Sequence, residues 1–165
     1  MSRFNNANTQ KSKLHIPKIE ELVHQYVNQE RTKRGLPKLS YNRKLACVAR
    51  THSQDMAERS FFAHETPEGK TPSIRGEKRG FFQGVGENIA TRSSCDYRKR
   101  FLVFLGSADI YWLNNDELAL WAVKAWMNSR GHRRNILTPD YQTEGIGVVV
   151  SQAKNSVYFT QNFIF

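Results

Sequence analysis

Gly145-Ile146-Gly147-Val148-Val149-Val150 and Val157-Tyr158-Phe159-Thr160-Gln161-Asn162-Phe163-Ile164-Phe165 are β-branched and aromatic stretches separated only by the polar residues 151–156. Segments of that composition fit a pleated, half-buried surface, and a short polar link between them reads as an antiparallel hairpin. Upstream, residues 116–129 run Leu118, Ala119, Leu120, Trp121, Ala122, Val123, Ala125, Trp126, Met127, a helix apolar on nearly every side. Such a helix must be covered on nearly every side, so it is expected at the centre of the molecule. Asn114, three residues before Glu117, supplies a capping arrangement at its start.

Two more helices precede it. Ile19, Leu22, Val23, Tyr26 and Val27 recur at helical spacing over residues 17–34, with Pro17 suited to the first turn and Gly35 placed as the stop. Over residues 42–59, Leu45, Ala49, His52 and Met56 share a face. Helices ahead of a terminal hairpin imply an α+β fold, or helices sandwiching a small sheet. Residues 60–88 are punctuated by Pro67, Gly69, Pro72, Gly76, Gly80, Gly84 and Gly86 and read mostly as loop, with room for a short helix or strand. Residues 91–115, holding the apolar run 101–105, are expected as a helical insertion packed on the body. The alternative for that run is an exposed patch for lipid or protein contact.

The chain has 165 residues, the size of one domain, with 39% hydrophobic and 24% charged residues. These values exclude collagen-like, coiled-coil and fully disordered classes, and no apolar run approaches the roughly 20 residues that span a bilayer. Twenty-five Lys and Arg against 15 Asp and Glu give a net charge of +10. The basic residues stand in small groups (Arg31, Lys33, Arg34; Arg98, Lys99, Arg100; Arg133, Arg134), which argues against a dedicated nucleic-acid binder. Residues 1–15 lack apolar periodicity and are expected as a disordered leader, with no apolar stretch of the signal-peptide kind. Read literally the chain is cytoplasmic; a removed export segment is the other option. Cys47 is expected as a buried thiol and Cys95 as an exposed one, and a bond between them requires export.

Three stretches carry the chemistry. His64 follows Phe61-Phe62-Ala63 at a helix-to-loop junction, where an imidazole can bind metal or move protons; the plainer alternative is a His that caps the helix or bonds a loop carbonyl. A His-Glu-x-x-His zinc motif is absent because position 68 is Glu. In Gly84-Val85-Gly86-Glu87-Asn88-Ile89-Ala90 the glycines let the backbone bend beside Glu87; the alternative is an acid in the first turn of a helix. In Trp126-Met127-Asn128-Ser129-Arg130-Gly131-His132 the helix is expected to end at Gly131 and hold His132 rigidly, as a site residue or as a partner for the helix dipole. Ser129 lies near His132 in sequence, which does not amount to triad geometry. His52 is expected as a hydrogen-bonded core histidine, and Trp121 and Trp126 as core.

Together these segments resemble the CAP superfamily (cysteine-rich secretory, antigen five and pathogenesis-related proteins), also called the SCP domain, over about residues 16–165. The likeness runs through Asn28, Arg31, Gly35, Leu36, Pro37 and Leu39, Phe62 and His64, the stretch from Gly86 to Ala90, the segment from Trp126 to Leu137, Gly145-Ile146-Gly147-Val148 and Phe159-Thr160-Gln161-Asn162-Phe163. Its flavour is that of short bacterial and archaeal members without the cysteine-rich tail. The resemblance implies an α-β-α sandwich with a three-stranded antiparallel sheet between helical layers, and a cavity lined by two His and two acids. His64, Glu87 and His132 match three of the four. Where the full set has a second Glu, this chain has Ser129, which supplies no negative charge. The implied metal ligands are His64 and His132, for Zn²⁺ or another divalent ion, with Glu87 orienting a water or an imidazole. The implied role is a non-enzymatic, exported or envelope-attached binder of a lipid, glycan or protein ligand. The alternative is a metal-assisted, peptidase-like hydrolase with Glu87 as base.

Overall fold

The computed structural model describes residues 13–99 and 108–165. Helix α1 spans Ile16–Thr32, with Pro17 in its first turn and Ile19, Val23 and Val27 fully buried along one stripe. Strand β1 (Ser40–Tyr41) leads into α2 (Arg43–Arg59), where the Asn42 side chain accepts from the Leu45 N–H and caps the helix. A short helix α3 (Pro72–Glu77) interrupts the following loop region and leads to strand β2 (Gly86–Ser93). Strands β3 (Cys95–Lys99) and β4 (Ala108–Trp112) pair with each other. Helix α4 (Asn115–Asn128) opens with the full capping box of Asn114 and Glu117, then meets α5 (Arg130–Leu137) at Ser129. Strands β5 (Thr143–Ser151) and β6 (Ser156–Ile164) form the terminal hairpin.

The main sheet has the order β1-β5-β6-β2: three antiparallel strands, with the two-residue β1 added in parallel at one edge. Helices α1, α4 and α5 cover one face, where Ile146, Val148, Val157, Phe159 and Phe163 meet Val23, Leu118, Ala122 and Trp126. Helix α2 covers the other, with Met56 and Ala57 against Ile89 and Tyr158. The architecture is the α-β-α sandwich.

Two glycines set the distance of α2 from the sheet. A Cβ on Gly145 would stand 2.2 Å from the Ala46 N, and one on Gly147 2.0 Å from the Arg50 N, both rigid helix backbone. On the opposite side the fully buried Arg31 donates to the carbonyls of Pro37, Ile136, Thr138 and Tyr141, fastening α1 to the end of α5. A buried cation is tolerated there because its donors are matched.

Several expectations need correction. The stretch 91–115 is not helical where it is described: it holds the end of β2, strands β3 and β4, and the first residue of α4. The physical reason lies in Cys95-Asp96-Tyr97-Arg98, whose period of two and aromatic content favour a strand, a signal outweighed in the sequence by the neighbouring apolar run. That run, 101–105, lies outside the described residues, as do residues 1–12 of the expected leader. Cys95 is buried at the start of β3 and Cys47 is only half-buried on α2, the reverse of the expectation; both thiols are free.

Gly147→Ala is expected to destabilise the protein by about 3 kcal/mol, because the added methyl meets backbone that cannot yield. Urea unfolding of parent and variant measures it.

Candidate functional site

Strand β2 closes the sheet at the edge opposite β1, and its side chains alternate between the two faces. Ile89 packs on the α2 side and Ala90 on the α1/α4 side, so Glu87 faces α2 and Asn88 faces α5. Glu87 is thus a strand residue and not a first-turn helix acid; the sharp bend before it falls at Gly84, with φ at 83°. His132 also differs from expectation. The central helix stops at Asn128, and His132 sits in the first turn of α5, where it cannot serve the dipole of a helix C-terminus.

Around Glu87 the three expected residues do converge. The carboxylate is 1% exposed; its Oε1 accepts from His64 Nδ1 at 2.9 Å. A carboxylate oxygen only accepts, so Nδ1 carries the proton and Nε2 is the ring nitrogen left for a ligand. The His64 ring is 49% exposed, and its centroid lies 6.5 Å from that of His132. Burial, followed by the charge of His64, pushes the His132 pKa down, which favours a neutral imidazole with an available lone pair. Ser129, at the α4–α5 junction, makes no side-chain capping bond.

Two residues that the sequence did not assign to the site complete it. Arg75 Nη2 donates to Glu87 Oε2 at 2.5 Å, and Arg75 Nη1 donates to the carbonyls of His64 (2.7 Å) and Lys70 (2.8 Å). His52 is the buried, hydrogen-bonded histidine that was expected, with Nε2 2.9 Å from the Ala63 carbonyl; that nitrogen also comes within 3.9 Å of Glu87 Oε1. Burial, reinforced by Arg75, outweighs the pull of Glu87 and lowers the His52 pKa. The signal for Arg75 was faint: Thr71 and Pro72 mark a helix start, and Arg75 falls one turn later.

Among the described residues, no group of three or more His, Cys, Asp and Glu side chains is disposed to hold a metal ion. What the site offers a cation is a pair of imidazoles, His64 and His132, with Glu87 already held by Arg75.

A profile of the family "CAP: Cysteine-rich secretory protein family" matches residues 24–163. The chain belongs to this family. It is 32% identical over 150 residues to the uncharacterized protein YkwD of Bacillus subtilis, covering 90% of this chain and 48% of YkwD. Among solved structures, an extracellular protein containing an SCP domain from Bacillus anthracis superposes with a TM-score of 0.66 at 29% identity, over 90% of this chain and 41% of that one. An outer surface protein from Borrelia burgdorferi shares the fold with a TM-score of 0.69 at 18% identity, over 93% of this chain and 97% of its own. The chain therefore spans less than half the length of YkwD and of the Bacillus anthracis protein. Among the described residues no helix is long and apolar enough to cross a membrane.

His52 makes the fold acid-sensitive. Unfolded, its imidazole titrates near pH 6.5; folded, its pKa is lower, so between the two values the unfolded chain binds more protons and stability rises with pH. Through His52, stability is expected to be greatest above pH 6.5 and to fall as the pH drops from there toward the lower folded pKa. The half-buried His132 adds a smaller contribution of the same sign, reduced by solvent screening. Urea unfolding from pH 7.5 to 5 measures the slope, and His52→Gln should flatten it.

Proposed function

We propose that the chain is a non-enzymatic binding domain, exported or attached at the cell envelope, whose cleft engages its ligand through His64 and His132. The observation that carries the proposal is the state of Glu87: Oε1 accepts from His64, Oε2 accepts from Arg75, and the side chain is 1% exposed. A general base needs a lone pair aimed at the proton it removes, within hydrogen-bond reach of a substrate or water. Both oxygens of Glu87 are instead engaged by the protein. Ser129 adds no second carboxylate, so the donor set speaks for binding over a peptidase-like reaction.

His64 Nε2 and the neutral His132 ring would hold a divalent cation such as Zn²⁺, which when bound would polarise a ligand oxygen. Glu87 fixes the His64 ring, and α5 holds the His132 ring with its centroid 6.5 Å away. A lipid, glycan or protein partner would then contact the cleft rim. The envelope location is supported by the extracellular SCP-domain relative and the outer surface protein.

Zinc titration of protein never exposed to nickel resin tests this. His64→Ala and His132→Ala are each expected to weaken Zn²⁺ binding about tenfold or more. Variants that bind as tightly as the parent would exclude a two-imidazole site.

A further inference from the structure

We propose that the groove between α2 and residues 66–79 is a second binding site, for a soluble anionic ligand that carries phosphate groups. It is separate from the His64 and His132 pair, and its chemistry needs no metal.

The groove has a volume of about 430 Å³, within the range of small-ligand sites. One wall is the outer face of α2, with Thr51, Gln54, Asp55 and Glu58. The other is built by Thr66, Lys70 and the end of α3, with Lys78 and Arg79. Arg75 also lines it, and its guanidinium donates to the carbonyls of His64 and Lys70 and to the Glu87 carboxylate. The loop and α3 are thereby clamped to β2. The Thr66 hydroxyl accepts from the Lys70 N–H, and the Thr71 hydroxyl from that of Ile74. Walls held in this way exist before a ligand arrives, which spares the cost of ordering them on binding.

The charges decide what the groove takes. Three carboxylates line it, and each already has a partner: Arg59 donates to Glu68 at 2.5 and 3.1 Å and stands 3.4 Å from Asp55, while Gln54 donates to Glu58. Of the five lining cations, Arg59 is engaged by those acids and Arg75 by Glu87. Lys70, Lys78 and Arg79 are exposed, and among the described residues none of their side chains has a partner of opposite charge. Glu77, the acid beside Lys78, does not line the groove. The Arg79 N–H donates to the Gly76 carbonyl at 2.8 Å, so the helical turn continues past α3 and brings Arg75, Lys78 and Arg79 to one side of it. Like charges at that spacing repel, and an anion between them relieves the repulsion.

Phosphate suits this set better than a lone carboxylate does. Its oxygens accept several charge-assisted bonds at once, from the planar fork of Arg79 and from the two ammonium groups. The net charge of +10 draws such an anion at long range.

Tripolyphosphate is the probe, titrated calorimetrically into the full chain near neutral pH at low salt, with the folding of each variant checked by circular dichroism. The parent is expected to bind it saturably. Lys78→Glu with Arg79→Glu is expected to weaken binding about tenfold or more, and Thr51→Trp, which fills the groove without changing its charge, by a similar factor. Arg130→Glu with Arg134→Glu removes the same charge from α5 and is expected to leave binding within about twofold of the parent. A parent without saturable binding overturns the proposal. Equal loss in the α5 variant overturns it too, by assigning the binding to overall charge, and so does parent-like binding by either folded groove variant. Phosphatidylglycerol vesicles form the second arm: a protein that sediments with them and does not bind tripolyphosphate meets a bilayer and not a soluble phosphate, and the proposal fails.

Discussion

The free edge of β2 governs this molecule. An edge strand presents carbonyls that the sheet does not use, and buried ones must find donors elsewhere. Here the Ile89 carbonyl accepts from Trp126 Nε1 at 3.1 Å and the Glu87 carbonyl from Asn135 Nδ2 at 3.1 Å. Both donors stand on the α4–α5 corner. Covering the edge therefore brings α5 against β2, and with it His132 beside Glu87. The site is a consequence of how the sheet is closed.

The corner is further fixed by a run of side chains through the sheet. Asn88 Nδ2 donates to the His132 carbonyl and to Gln161 Oε1, Gln161 Nε2 donates to Glu144 Oε2, and Glu144 Oε1 pairs with His24. Asn135 closes it by donating to Asn88 Oδ1 as well as to the Glu87 carbonyl. Buried polar groups in low dielectric are stable when every member is matched, and each amide proton of Asn88 and Asn135 has an acceptor. The contrast is the α2 face of the same strand, where His52, Arg75 and Asn162 retain unmatched atoms. One side of β2 is saturated structure; the other keeps unused bonding capacity around Glu87.

Much of this was legible because it is periodic. The stripe of Ile19, Val23 and Val27, the Asn114–Glu117 cap and the β-branched terminal hairpin each follow from local rules, and the structure has all three. His64, Glu87 and His132 stood out because each sits beside a bend or a helix end, and they do meet. Arg75 did not stand out, since an arginine among glycines and lysines looks like surface, and its partner lies 12 residues away across a loop. Burial of a charge depends on tertiary packing, which no window of sequence contains. The same holds for β3 and Cys95: period two was present in Cys95-Asp96-Tyr97-Arg98 but competed with the apolar run beside it, and burial followed from a pairing the run obscured.

The charges around His64 and His132 act in one direction. Ser129 withholds a carboxylate, Arg75 cancels the one that remains, and the chain as a whole carries +10. At long range such a field draws anionic partners and repels divalent cations, an effect that salt screens beyond roughly 10 Å. A cation held as proposed by His64 and His132 would depend on their short-range lone pairs against that field. Its retention would therefore respond to ionic strength in the opposite sense to that of an anionic partner: salt would ease cation binding and loosen the anion.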